Sequence, residues 1–233
     1  MASPKPIVEG LWQLGLGPVN AFLLDDNGSL TLIDTGTPHC EAKILEAIEK
    51  IGKRPHDLKN IIVTHCHPDH AGSVGSLKRM TRARVYMHPD DAWMVRKGES
   101  ARPMTPSPGW RQQLLFKMFV PKTPVLIEQC VIDKEVTDGD VLPIAGGLKV
   151  IHVPGQCKGQ IALHWMHRRV LFAADACANM LSLGYSLGYE DHAAANASLR
   201  KLSGLDFDVA VFGHGRPIKA DAGRKFRELW AQA

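Results

Sequence analysis

The stretch THCHPDHAG, residues 64–72, places three imidazoles and one carboxylate within six positions, directly after the apolar run NIIV. In an extended backbone, side chains two residues apart point the same way, so His65 and His67 can share one metal ion. The proline that follows turns the chain, so that Asp69 and His70 can face a second ion nearby. So many ligand groups have little structural use without a cation. The segment therefore predicts a metal site.

Two other predicted strands also finish in ligand chemistry. VLFAAD ends at Asp175 and DVAVFGH ends at His214, just as NIIVTH ends at His65. Such strand ends converge on one rim of a sheet, and a carboxylate such as that of Asp175 can bridge two ions. Imidazole and carboxylate together suit zinc, and also iron or manganese, whereas a calcium site is built from oxygen alone.

The rest of the chain alternates strand-like and helical segments without a repeat or a linker, which predicts a single domain over residues 1–233. Strands that come mostly in pairs, with helices between them, favour two sheets covered by outer helices. The tripeptide DNG at 26–28 predicts a hairpin. Residues 90–125, rich in Pro, Trp and Phe and without a clear period, are interpreted as an insertion or lid. The predicted strands cover 19–26, 29–35, 60–65, 84–88, 148–153, 160–165, 170–175 and 208–214, and the helices 41–52, 193–204 and 221–233.

Composition narrows the functional classes. The net charge of +4, from 28 basic and 24 acidic side chains, is too small to imply a nucleic acid partner. The first residues lack a signal-peptide pattern and no apolar run reaches membrane-spanning length, so a cytoplasmic protein without a membrane partner is expected. Five cysteines without CxxC spacing favour free thiols in a reducing compartment.

THCHPDHAG resembles the THxHxDHxG signature of the metallo-β-lactamase-fold hydrolases. LIDTG at 32–36, FAADA at 172–176 and FGHGRP at 212–217 match further motifs of that superfamily in the same order. The resemblance spans nearly the whole chain. It implies an α+β fold, an αβ/βα four-layer sandwich with a metal cleft at one edge. The compact chain is most similar to the glyoxalase-II-like and lactonase-like branch.

The resemblance also implies the role of each matching residue. Asp34, in LIDTG, supports the ligand turn through hydrogen bonds, and Asp69 orients the nucleophile and carries its proton. The implied cofactor is zinc in two sites, with iron or manganese as alternatives. The implied ligands are His65 and His67 for the first ion, Asp69, His70 and His214 for the second, and Asp175 for both; Asp69, His70 and Asp175 are the candidate catalytic residues.

One motif departs from the family pattern. The expected PGH is PGQ here, so Gln156 stands where the third histidine of the first site belongs. An amide oxygen is a weaker zinc donor than imidazole, so the first site is expected to bind its ion less tightly or to be partly empty. Cys157 is an alternative ligand, although neighbouring residues of an extended backbone face opposite ways.

A metal-bound water loses its proton near neutral pH and becomes a nucleophile, and the chain has no GxSxG elbow, P-loop or GxGxxG motif. We therefore predict a metallo-hydrolase of ester-like bonds in a small molecule, a lactone or thioester, with β-lactam or phosphoester cleavage as a side activity. An iron persulfide-dioxygenase-like oxidoreductase and a non-catalytic metal-binding module are the alternatives. The chain is expected to be a monomer or homodimer.

Several large apolar residues could line a pocket for an acyl chain or a ring. An equally good interpretation is that they pack the insertion onto the core. The candidates are Trp93, Trp110, Phe119, Met180 and Tyr185.

Overall fold

The computed structural model of the chain describes residues 3–121, 123 and 125–232. Residues 122 and 124 of the predicted insertion lie outside the described residues, as do residues 1, 2 and 233 of the predicted single domain. The last predicted helix also includes residue 233. Among the described residues, no helix is long and apolar enough to cross a bilayer.

Strands and helices alternate along the described chain. The strands are β1 (Lys5–Val8), β2 (Leu11–Gly15), β3 (Asn20–Asp26), β4 (Ser29–Ile33), β5 (Leu58–Ile62), β6 (Arg84–Met87), β7 (Thr105–Pro106), β8 (Lys134–Glu135), β9 (Val141–Leu142), β10 (Leu148–His152), β11 (Ile161–Trp165), β12 (Val170–Phe172), β13 (Ala178–Asn179), β14 (Leu183–Gly184), β15 (Gly188–Tyr189) and β16 (Val209–Val211). The α-helices are α1 (Glu41–Lys50), α2 (Val74–Thr81), α3 (Pro89–Lys97), α4 (Trp110–Phe119), α5 (His192–Ser203) and α6 (Ala222–Trp230), with short 3-10 helices at Pro55–Asp57 and Met166–Arg168.

Two sheets carry the fold of the described residues. One has seven strands in the order β1-β2-β3-β4-β5-β6-β8, and the other has five in the order β16-β12-β11-β10-β9. The turn between β3 and β4 contains Asn27 and Gly28, both with positive φ (51° and 93°), which is the two-residue geometry that Asn-Gly favours. The predicted hairpin is confirmed.

Helices cover the outer faces of both sheets, because strands such as SLTLI and VLF are apolar on both sides and need cover on both. The central layer between the sheets includes Leu24, Ile62, Leu163 and Phe172. Residues of α1, α2 and α3 pack against the seven-stranded sheet, and residues of α5 and α6 pack against the five-stranded sheet. The result is a helix–sheet–sheet–helix arrangement of four layers, as predicted.

The strands that lead to the candidate ligands end earlier than the sequence indicated. β5, β12 and β16 end at Ile62, Phe172 and Val211, so His65, Asp175 and His214 each follow a strand end by three residues. The backbone leaves the ladder because other partners replace the neighbouring strand. Thr64 N–H, for example, donates to a carboxylate oxygen (2.8 Å). Because β12 and β16 are parallel neighbours, their loops meet at one edge.

The region predicted as an insertion without periodic structure contains α3 and α4. α3 begins at Pro89 and buries Ala92, Met94 and Val95, whereas α4 buries none of its residues. The apolar residues of α4 follow no helical period, which is why the sequence did not reveal this helix. The role of the region as a lid stays a prediction.

Candidate metal centre

Asp34 is the hub of the loops that follow β4 and β5. It is buried and has a φ of 61°, a left-handed conformation that aspartate tolerates better than most residues. Its Oδ1 accepts from Thr64 N–H (2.8 Å), and its Oδ2 accepts from Thr64 Oγ1 (2.9 Å) and from His70 Nδ1 (2.9 Å). A carboxylate can only accept, so His70 Nδ1 carries a proton and Nε2 is the nitrogen that faces the centre.

The same reasoning fixes the ring of His65. Thr64 has one hydroxyl proton, and this proton is donated to Asp34. The contact of 2.9 Å between Thr64 Oγ1 and His65 Nδ1 therefore requires His65 Nδ1–H to donate. His65 Nε2 is left with a lone pair, and burial together with the neighbouring His70 lowers the pKa of His65 well below its ordinary value. This imidazole is neutral and suited to bind a metal.

His214 approaches the centre from the loop after β16. Its Nδ1 lies 2.9 Å from Pro18 O, a carbonyl that can only accept, so Nδ1 carries a proton and Nε2 is the nitrogen that faces the centre. Nε2 lies 3.1 Å from Asp175 Oδ2 and 3.3 Å from Asp69 Oδ2. His70 Nε2 lies 3.5 Å from Asp175 Oδ1 and 3.8 Å from Asp69 Oδ2. Four side chains from three loops thus surround one point.

The donor set fits a divalent cation. His65 Nε2, His70 Nε2 and Asp175 Oδ1 are buried and have no hydrogen-bond partner, which costs free energy unless a further group contacts them. Burial disfavours a charged imidazole, yet Asp175 and Asp69 raise the pKa of His70 well above its ordinary value. Burial also lowers the pKa of His214, but Asp175 and Asp69 outweigh this effect and raise the pKa to about 10. The carboxylates therefore favour positive charge between these residues.

Gln156 lies at the first site, but it presents its amide nitrogen. Nε2 is 2.8 Å from His67 Nδ1 and 3.4 Å from Asp175 Oδ2, while Oε1 is buried without a partner. An N–H that points at His67 Nδ1 uses the lone pair that a metal would need. A half-turn of the amide would place Oε1 there instead. The first site therefore fits a cation less well than the second.

Cys157 lies closer to the centre than expected. Its Sγ is 3.2 Å from His67 Nε2 and 3.8 Å from Cys66 Sγ. The expectation that Gln156 and Cys157 face opposite ways is wrong, because residues 155–159 form bends and a turn rather than a strand. Both side chains contact the ring of His67. All five cysteines are buried and unpaired.

Replacing Gln156 by histidine should tighten binding of the first ion. A direct imidazole ligand should contribute at least the roughly 10–100-fold in affinity that an outer hydrogen-bond partner contributes. Competition with a chromophoric chelator would measure the affinity and the stoichiometry. Gln129→His, which adds an imidazole where an exposed amide donates to Lys97 O, is the control for adventitious binding. Equal affinities for Gln156→His and the unaltered protein would mean that residue 156 does not contact the ion.

Asp91 and Arg102 form a support that the sequence interpretation missed. Asp91 is fully buried, and its carboxylate accepts from Cys66 N–H (3.0 Å), Gly159 N–H (3.0 Å) and Arg102 Nη1 (2.7 Å). It therefore connects the loop of His65 and His67 to the loop of Gln156. The only local signal is an acidic first turn in a helix, which is common and does not mark a site.

Two glycines of the motifs are required by close packing. A Cβ on Gly213 would lie 2.1 Å from Asp175 Oδ1 and 2.6 Å from His70 Cε1. A Cβ on Gly72 would lie 2.3 Å from Pro68 O, within the ligand turn itself. These distances are shorter than any van der Waals contact, so larger residues would displace the ligands.

Among the predicted pocket residues, the two tryptophans lie beside basic side chains. Trp93 is on α3, with Lys97 Nζ 5.1 Å and Arg102 Cζ 5.9 Å from its ring centroid. Trp110 begins α4 and is largely exposed, and the guanidinium of Arg111 lies 5.3 Å from its ring centroid. All three are cation–π distances.

The other three lie in different surroundings. Phe119 is exposed at the end of α4, and Met180 is exposed after β13. Tyr185 donates its hydroxyl to Asn196 Oδ1 (3.0 Å) and packs its ring edge against Trp230. No described contact joins the five candidate pocket residues to one another. A substrate pocket lined by them stays a prediction.

Comparison with known proteins agrees with this geometry. The sequence profile of the metallo-beta-lactamase superfamily matches residues 14–214. YobT of Bacillus subtilis is 29% identical over 171 residues, 71% of this chain and 66% of that protein. The human acyl-coenzyme A thioesterase MBLAC2 is 32% identical over 141 residues, 56% and 44% of the two chains. Hydroxyacylglutathione hydrolase of Cereibacter sphaeroides is 29% identical over 193 residues, 82% and 60%. The chain spans less than two thirds of the length of each of these three relatives.

Solved structures give the same fold. A B3 metallo-beta-lactamase with an active-site glutamic acid superposes with a TM-score of 0.74 at 24% identity, covering 100% of this chain and 88% of that one. A metallo-beta-lactamase family protein from Thermus thermophilus has a TM-score of 0.71 at 28% identity, covering 97% and 80%. The predicted α+β sandwich is confirmed.

Proposed function

Because this chain belongs to the metallo-beta-lactamase superfamily of metal-dependent hydrolases, we propose that it hydrolyses thioesters of small molecules. The observation that carries the proposal is the convergence of unpartnered donors on one point. His65 Nε2, His70 Nε2 and Asp175 Oδ1 are buried there, and His214 Nε2 points at the same carboxylate. We propose zinc as the ion, held mainly by the second site, with iron or manganese as substitutes.

Two relatives favour a thioester over other acyl bonds. MBLAC2 is named as an acyl-coenzyme A thioesterase, and the Cereibacter protein as a hydroxyacylglutathione hydrolase. Coenzyme A and glutathione both carry acyl groups on sulfur. The B3 lactamase at 24% identity supports the fold alone. β-Lactams are therefore included in the substrate panel only as comparison substrates.

The chain's own residues divide the work of the reaction. When bound, a divalent metal supplies a water of lowered pKa and an electrophile for the carbonyl oxygen. Thr64, Asp34 and Pro18 O bind Nδ1 of His65, His70 and His214, so that Nε2 of each ring is the nitrogen that would hold the metal. Water adds to the thioester carbonyl and the C–S bond breaks, giving a carboxylic acid and a thiol.

We assign the proton transfer of this reaction to Asp69. Its side chain is 30% exposed, the most open carboxylate of the cluster, so substrate and solvent can reach it. Burial works against ionisation, but His70 and the hydrogen bond from His214 lower the pKa of Asp69. It is therefore an ionised carboxylate that accepts a proton from the attacking water and donates it to the departing sulfur.

A substrate panel with metal analysis tests the proposal. We expect the zinc-loaded protein to hydrolyse thioesters at least about tenfold faster, in kcat/KM, than lactones, phosphoesters or β-lactams, a preference of about 1.4 kcal/mol. Free thiol would be followed with a disulfide reagent, and metal content by emission spectroscopy. Bound iron, together with consumption of oxygen when a persulfide is the substrate, would favour the alternative function of a persulfide dioxygenase. Folded protein that binds no metal would favour a non-catalytic module.

A further inference from the structure

We propose that a basic groove beside His214 binds the phosphate end of a phosphorylated thioester carrier. The groove is a cavity of about 420 Å³ whose lining includes Lys5, Arg216 and Lys219. This inference rests on the proposed thioester hydrolysis and assigns the part of the substrate that the metal centre does not hold.

The groove carries positive charge without neutralisation. Lys5, Arg216 and Lys219 line it, and no aspartate or glutamate does. None of the three forms an ion pair within the described part of the chain, whereas surface cations elsewhere, such as Arg96 and Arg168, contact carboxylates. Three cations around one concave surface raise the local concentration of anions, and guanidinium and ammonium groups are the usual phosphate ligands of proteins.

Hydrogen bonds hold the backbone of Arg216 and the ammonium group of Lys219 beside the groove. Arg216 N–H donates to Asn179 O, and Asn179 Nδ2 donates back to Arg216 O, both at 2.8 Å. Lys219 Nζ donates to Pro6 O (3.0 Å), which holds the ammonium group at the groove. A charge already held in position loses less conformational entropy when it binds a ligand.

His214 separates the groove from the metal centre. Its Nε2 points at Asp175, and its Nδ1 is bonded to Pro18 O, a residue of the groove wall. Asn20 and Gly215 also line the groove, and Asn20 Nδ2 donates to Gly215 O (2.9 Å). The proposal places the carbonyl of the thioester on the Nε2 side of His214 and the rest of the carrier on the Nδ1 side, in the groove.

The lining also contains apolar side chains that suit the chain of a carrier. Ile7, Met180 and Pro217 lie beside the cations in the groove wall. A carrier with an aliphatic linker and terminal phosphates offers both kinds of contact. Coenzyme A has this composition. Pantetheine is the part of coenzyme A that remains when the phosphates and the adenosine are removed, so the pair tests whether this end of the carrier binds in the groove, and the charge variants test the phosphates.

The test compares one acyl group on three carriers. In Lys5→Gln/Arg216→Gln/Lys219→Gln, KM for octanoyl-coenzyme A should rise about tenfold with unchanged kcat, as expected for three exposed ionic contacts. This groove variant should hydrolyse octanoyl-pantetheine with the same KM as the unaltered protein. Its KM for S-octanoylglutathione should rise less than its KM for octanoyl-coenzyme A. Lys43→Gln/Lys134→Gln/Lys225→Gln removes the same charge from exposed positions outside the groove and should leave KM unchanged.

Binding of coenzyme A alone, measured by calorimetry, separates this inference from the proposed function. If the protein hydrolyses no thioester but binds coenzyme A more weakly in the groove variant than in the control variant, the proposed function is wrong and the groove is supported. The assignment to phosphate would be overturned if the groove variant and the control variant bound coenzyme A equally. It would also be overturned if the groove variant lost as much turnover of octanoyl-pantetheine, or of S-octanoylglutathione, as of octanoyl-coenzyme A.

Discussion

Asp175→Ala should reduce thioester hydrolysis by about 1,000-fold or more in kcat/KM, equivalent to about 4 kcal/mol of transition-state stabilisation. Asp175 contacts two histidines that approach the centre from different loops. Its Oδ2 lies 3.1 Å from His214 Nε2 and its Oδ1 lies 3.5 Å from His70 Nε2. No other carboxylate among the described residues contacts both of these rings from a buried position, so alanine leaves the two imidazoles without the charge that holds a cation between them.

The loss must be assigned to the metal centre and not to unfolding. Asp206→Ala removes an exposed carboxylate that pairs with Arg169, and it should keep full activity and metal content. In Asp175→Ala, zinc stoichiometry should fall while the far-ultraviolet circular dichroism stays unchanged. If Asp175→Ala bound zinc with unaltered affinity and retained more than a tenth of the activity, the bridging role of Asp175 would be wrong.

Asp91→Ala should lower the free energy of unfolding by about 3 kcal/mol, because it removes the acceptor of two buried N–H groups together with one partner of Arg102. Arg102 would keep Glu190 (3.1 Å), but the N–H groups of Cys66 and Gly159 would lose their acceptor in a buried environment. Urea denaturation followed by intrinsic fluorescence measures the change. The same variant should bind the first metal ion less tightly, since the loop of His67 and the loop of Gln156 lose the carboxylate that connects them.

The neighbouring acid supplies the matched control. Asp90 lies in the same first turn of α3, and its carboxylate is 3.9 Å from Lys158 Nζ at the surface. Asp90→Ala should cost less than about 1 kcal/mol, the usual limit for an exposed pair. Similar losses for Asp90→Ala and Asp91→Ala would show that the helix terminus, and not the buried carboxylate, accounts for the effect.

The ligand chemistry could be predicted from the sequence because it is local. His65, His67, Asp69 and His70 lie within one turn, and strand ends bring Asp175 and His214 to the same edge whatever the details of the loops. Apolar runs likewise indicated the main strands, α1, α5 and α6. The exact strand ends were less accurate, because side-chain acceptors such as Asp34 replace the neighbouring strand in ways that residue type does not indicate.

What only the tertiary structure decided depends on residues far apart in the chain. The amide of Gln156 turns its nitrogen to His67, Cys157 reaches the same ring, and Asp91 joins two loops. The basic groove unites Lys5 with Lys219. Sequence patterns report periodicity within a segment, whereas these contacts arise when the two sheets pack together and bring distant segments to one edge. The sequence by itself therefore determined which groups are available for metal chemistry, and packing decided how each of them is oriented and supported.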